Sequence, residues 1–446
     1  MIKCTDKRLN PRDARHRAWK YRWRWIINAR RLPTTATASW RDKFRKRAIP
    51  ATALAALAGA TAFVMFEHPT ISKAMDGETG GFKVHKTLSL STSSEPENPF
   101  ASALGFAFGA VVALAWSPDG ERLAAASAYG GRLTVWDRSG RKVVQIIRYG
   151  GGPTLGGSIT FLQGSSKLVF PPAGDARSDA AVTVWDVASG KVLRSPAGPE
   201  PGGDRARNRA YHFAASPDQT RLTTATSAGG PWRTYRVNLW TYDTRNWRLT
   251  NTARIEDGVN SLAYFDGGRL IAVGSSPGRI SVLDAASARL LHHFQAYDLS
   301  NLGGFDIDAI VGSPDGRWIM ASVGAGYIGG PAAATPAGGA QAAAWEKSLE
   351  PVRMLRASDG ARMAALTAPT TPIRRAAWDP KGRYVAFLDY AGKLFLWRYP
   401  FSPRSYEKID LGANNTLALA ISPDGDHIAV PATNGVSVYT LDPTSR

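Results

Sequence analysis

Ser117-Pro118-Asp119-Gly120 stands between two short apolar runs and returns as Ser216-Pro217-Asp218-Gln219, Ser313-Pro314-Asp315-Gly316 and Ser422-Pro423-Asp424-Gly425. A close variant is Asp379-Pro380-Lys381-Gly382. Pro at the second position presets φ, Asp bonds its own backbone, and Gly accepts a left-handed conformation. Such turns close hairpins. Their regular recurrence predicts a radial or solenoidal array.

Outward from each turn the unit reads strand a, tight turn, strand b, loop, strand c, tight turn, strand d. Seven copies follow one another, beginning at Val111, Ile159, Tyr211, Val259, Ile307, Ile373 and Thr416. Apolar–polar alternation is weak, as expected where inner strands are buried on both faces. The seventh copy lacks a strand d, which would leave an open edge prone to aggregation. Phe82–Leu90, with Val84, Thr87, Leu88 and Leu90, is the strand predicted to close it. The expected fold is all-β: a seven-bladed β-propeller of four-stranded antiparallel blades over residues 82–446, monomeric.

Trp136-Asp137 and Trp185-Asp186 end the c strands of two copies, Trp240 and Trp397 keep the Trp alone, and Asp186 to Lys191 forms an Asp-x-x-Ser-Gly-Lys exit turn. In these features the chain resembles the WD-repeat β-propeller family, in a divergent, bacterial-style form. The resemblance covers roughly residues 82–446 and implies an architecture, not an activity. No Gly-His pair opens a repeat, so the family's His-Asp-Ser/Thr-Trp hydrogen-bond set is incomplete. Leu283-Asp284 and Leu355-Arg356 replace the signature in two further copies.

The net charge of +19 is unevenly placed. Residues 1–48 hold sixteen Lys/Arg against Asp6, Asp13 and Asp42, a surplus of thirteen, so the basicity belongs to a tail and not to the propeller. The tail interleaves cations with Trp19, Tyr21, Trp23 and Trp25. That pattern suits an anionic membrane surface better than nucleic acid, and no nucleic-acid partner is expected. Residues 48–66 are uncharged, rich in Ala, Leu, Phe and Thr, and as a helix would span about 28 Å, close to a bilayer core. Arg41, Lys43, Arg45, Lys46 and Arg47 precede them, which predicts a cytoplasmic N-terminus and a propeller across the membrane. The expected organisation is a basic aromatic-rich tail over 1–47, a transmembrane signal anchor over 48–66, a linker over 67–81, then the propeller. The expected location is a bacterial inner membrane, single pass, with the propeller in the periplasm. A cleaved signal peptide, or a soluble leader on a cytoplasmic scaffold, are the alternatives. The lone Cys4 allows no intramolecular disulfide.

Loop lengths separate by face. The long connections are 148–158, 173–181, 194–209, 227–236, 296–306 and 324–351, and all are b–c or d–a loops, hence on one side of a propeller. Recognition is usually carried by loops on a rigid scaffold. The predicted partner-binding residues have hot-spot chemistry: Arg205, Arg207, Arg209, Trp232, Arg233, Tyr235, Arg236, Tyr297 and Tyr327. The partner is expected to be a protein.

Catalytic motifs are sparse. The seven His residues are scattered, no Gly-x-Ser-x-Gly motif occurs, and Gly150-Gly151-Gly152 lacks the Lys-Ser/Thr of a phosphate loop. No cofactor is expected. The enzymatic alternative is a metal-dependent, lactonase- or hydrolase-like propeller using Asp306, Asp308, Glu256 and Asp257 at the channel mouth. The repeated turn aspartates read as turn formers, not calcium ligands.

Overall fold

The computed structural model describes residues 82–91, 111–127, 132–141, 143–148, 158–170, 182–194, 196, 210–227, 237–275, 278–298, 306–324, 350–369, 371–412, 418–432 and 435–443. Among them no helix is long and apolar enough to cross a membrane; residues 48–66 lie outside the described residues.

Seven four-stranded antiparallel sheets form the blades. Their inner strands are Val111–Trp116, Thr160–Leu162, Ala210–Ala215, Val259–Phe265, Asp306–Gly312, Ile373–Trp378 and Ala420–Ile421. Each inner strand touches the inner strands of both neighbouring blades, and the seventh touches the first, so the ring is closed. Phe82–Ser91 supplies the outer strand of the last blade. It runs antiparallel to Gly435–Pro443, with Phe82 opposite Pro443 and Ser91 opposite Gly435.

The recurring turn folds the same way in each copy, and its sequence explains why. The serine hydroxyl donates to the aspartate two residues on: 2.5 Å in Ser117–Asp119, 2.5 Å in Ser216–Asp218 and 2.6 Å in Ser313–Asp315, with Ser422–Asp424 alike. The same hydroxyl accepts the N–H five residues on, from Arg122, Arg221, Trp318 and His427. In the variant copy Asp379 replaces the serine and accepts the Arg383 N–H directly (2.9 Å). The fourth turn position needs φ near +70°, taken by Gly120, Gly316 and Gly425 and, at +59°, by Gln219. The fourth blade has no such turn; Asp266–Gly268 forms a short 3-10 turn instead.

The core is divided, not central. Seven apolar clusters of described residues each lie between two adjacent blades, one per interface. Burial on both faces gives unbroken apolar or small strands, such as Arg122–Ser127 (RLAAAS) and the fully buried Tyr384–Asp389. Outer strands such as Leu249–Ile255 are covered on one side only and alternate. Between blades five and six, Trp397 is completely buried and donates its indole N–H to the Ser402 carbonyl (2.8 Å).

Candidate functional site

The inner strands leave one edge unpaired along the central channel. Five of them carry a β-bulge at the end away from the tight turns, where one residue is skipped in the pairing: after Val111, Ala210, Val259, Ile307 and Ile373. A bulge turns a side chain away from the face that strict alternation would give it. The bulged residues are Val112, Tyr211, Asn260, Asp308 and Arg374, and those that follow are Ala113, His212, Ser261, Ala309 and Arg375. All five of the latter line a channel cavity of about 270 Å³, together with Val112, Asn260 and Asp308.

Two of them are chemically distinctive. Arg375 donates to the Arg374 carbonyl (2.9 Å), and the Arg374 guanidinium lies over the Tyr390 ring at 4.7 Å. Burial, then the neighbouring Arg374 charge, lowers Arg375 to about 10, with Asp308 and Tyr390 partly offsetting them. Burial, and next the Arg375 charge, lowers His212 to about 4, so its imidazole is neutral at pH 7. Asp308 packs so closely on Gly324 that a Cβ there would overlap its carboxylate.

The expected loop anchors fall out differently. Arg205, Arg207, Arg209, Trp232, Arg233, Tyr235, Arg236 and Tyr327 lie outside the described residues. The described strands that flank the long loops end at the bulged end of the blades. Tyr297 requires a correction: it is a core residue, 1% exposed, and no surface anchor. Its hydroxyl donates to the Ala321 carbonyl (2.8 Å), and the Arg353 guanidinium covers its ring at 4.4 Å. Tyr297 follows an outer strand at the start of a long loop, and packing against the neighbouring blade turns it inward.

Of the carboxylates of the enzymatic alternative, the Asp306 side chain lies outside the described residues and the other three do not converge. Asp257 is paired with Arg279 (3.0 Å) and Glu256 with Arg254 (3.2 Å), while Asp308 lines the channel cavity. Among the described residues no group of three or more His, Cys, Asp and Glu could hold a metal ion. Neither His212 nor Arg375 is among the site residues expected from the sequence. Counting back four residues from the first residue of each turn gives Ala113, His212, Ala309, Arg375 and Ala418, so a His and an Arg stand in a column otherwise made of alanine.

The opposite end of the blades is tied together internally. Arg138 reaches Asp424 (2.7 Å), Gln163 reaches the Thr244 carbonyl (3.0 Å), and the Gly164 N–H reaches Gln219 (3.1 Å), each across a blade boundary. The turn aspartates are engaged with their own turns.

Seven closed four-stranded blades make the chain a seven-bladed β-propeller. The family model described as "WD domain, G-beta repeat" matches residues 105–137, and the one described as "Anaphase-promoting complex subunit 4 WD40 domain" matches residues 232–326. These matches and the seven blades fit a WD-repeat propeller family, whose members typically act as protein-interaction scaffolds. No curated protein gives a significant match to the chain.

Proposed function

We propose that this chain is a non-catalytic protein-interaction scaffold, a membrane-tethered propeller of bacterial type that presents its long-loop face to a protein of the cell envelope. The observation that carries the reading is the contrast between the two ends of the blades. At one end short turns hydrogen-bond to themselves and to their neighbours. The strand ends that lead into the long loops gather at the other. A rigid ring with one internally satisfied end and one loop-bearing end suits recognition, not chemistry. Residues 48–66 serve as a single-pass signal anchor in the inner membrane, with residues 1–47 cytoplasmic and the propeller periplasmic. Phe82, where the propeller begins, pairs with Pro443 at the tight-turn end of the last blade.

Partner capture from envelope extracts tests the face: Arg207→Glu with Trp232→Ala abolishes capture and leaves the melting temperature unchanged, whereas unchanged capture rules the face out. Protease treatment of cells with a permeabilised outer membrane tests the topology. Digestion of a C-terminally tagged, full-length chain supports the anchor; digestion of a chain short by about sixty residues means a cleaved leader. Protection places the scaffold in the cytoplasm.

A further inference from the structure

Arg375 and His212 stand on the inner strands of the sixth and third blades, on opposite sides of the seven-membered ring, and line the same cavity. Among the described residues Arg375 makes one hydrogen bond, to a backbone carbonyl, and His212 makes none. Both side chains are half-buried in the cavity wall, so the nitrogens that the protein leaves unmatched are open to whatever occupies the channel. The alanines at the equivalent positions, Ala113, Ala309 and Ala418, leave space for it.

The charges around the cavity decide the sign of that ligand. Among the lining residues Arg375 is cationic, Asp308 is a carboxylate and His212 is neutral at pH 7; the Arg374 guanidinium lies behind Arg375, over the Tyr390 ring. Arg375 and Asp308 balance, and Arg374 next to them makes the local surplus positive. A metal cation would meet Arg375 with one carboxylate in support, whereas an anion would meet a forked donor and an imidazole able to take up a proton. We propose that the channel binds a small oxyanion, held between the Arg375 guanidinium and the His212 ring at the loop-bearing end of the propeller. The guanidinium offers paired N–H donors matched to two oxygens of one ligand. The bound anion offsets the repulsion that Arg375 exerts on a protonated His212, so binding takes up a proton on the imidazole and affinity rises as pH falls. This site depends on neither the partner nor the tether.

Calorimetric titration of the full-length chain in detergent with sodium sulfate, against sodium chloride at matched ionic strength, is the test. Sulfate keeps its charge across the range, so any pH dependence belongs to the protein. The expected result is saturable binding that weakens by about tenfold or more in Arg375→Met. Affinity should rise from roughly pH 8 to roughly pH 5 in the parent chain and stay flat in His212→Gln. Sulfate heats equal to the chloride control overturn the proposal, as does parent-like binding by Arg375→Met. If Arg375→Met does not fold, His212→Gln decides: a flat pH profile supports the site, and an unchanged slope removes it.

Discussion

At the tight-turn end Arg383 donates to Asp379 (2.8 Å), to Asp426 (2.9 Å) and to the Gly425 carbonyl (2.8 Å), and Asp379 is fully buried. These bonds hold the Arg383 guanidinium above its ordinary pKa. At the bulged end Arg375, eight residues earlier on the same sixth blade, donates to one backbone carbonyl and sits below its ordinary pKa. The difference teaches where charge is structural. A cation surrounded by fixed acceptors stabilises the fold; a cation left with open donors in a channel costs stability and is available to a ligand.

Removing one partner at each end should therefore have unequal effects. Asp379→Ala strands Arg383 beside an emptied site and should lower stability by about 3 kcal/mol, read by chemical denaturation, while sulfate binding is unchanged. A small loss would mean that Asp426 alone satisfies the guanidinium.

Acid separates the two ends next. His212 is depressed in the folded state, so the unfolded chain binds the proton first: stability is present above pH about 6.5 and falls as pH drops toward about 4. The decline is on the order of 2 kcal/mol, and His212→Gln should flatten it in thermal melts taken across that window. Asp424 behaves in the opposite range. Burial raises its pKa, but hydrogen bonds from Ser422, the Asp426 N–H and Arg138 outweigh that, and the net shift is downward. Its contribution is present above the unfolded value of about 4 and is lost as pH falls below it, so Asp424→Asn should alter only the lower limb.

Smaller still is Ser117→Ala, which deprives the Asp119 carboxylate and the Arg122 N–H of a shared hydroxyl and should cost about 1 kcal/mol. Arg375→Met should be the mildest, within about 1 kcal/mol of the parent chain or slightly stabilising, because it replaces a poorly satisfied cation with an apolar side chain. A loss as large as that of Asp379→Ala would make Arg375 a structural residue and erase the contrast.

Much of the fold was legible because its signals are local. Pro118, Asp119 and Gly120 specify a turn wherever they stand, and strands such as Lys167–Phe170 and Arg362–Leu366 lie where their apolar runs predict. The fourth blade was read without its turn, since Leu262, Ile271, Ile280 and Phe294 still pattern as strands around the substituted Asp266-Gly267-Gly268. The site was less legible. Tyr297 has the composition of a contact residue, and only its neighbours Ala321 and Arg353, which come from the next blade, show that it belongs to the core. Asp257 and Glu256 look like channel carboxylates until Arg279 and Arg254 are seen beside them.

The amino-acid sequence by itself determined the number of repeats, the turn geometry and the concentration of positive charge before residue 49, because each depends on residues close together in the chain. Tertiary structure alone decided which side chains share the channel. That outcome rests on bulges that shift register by one residue, and in a strand of period two a single-residue shift moves every later side chain to the opposite face. Arg375 and His212 are 163 positions apart in the numbering of the chain and have no local reason to meet. Closure of the ring brings them to one cavity.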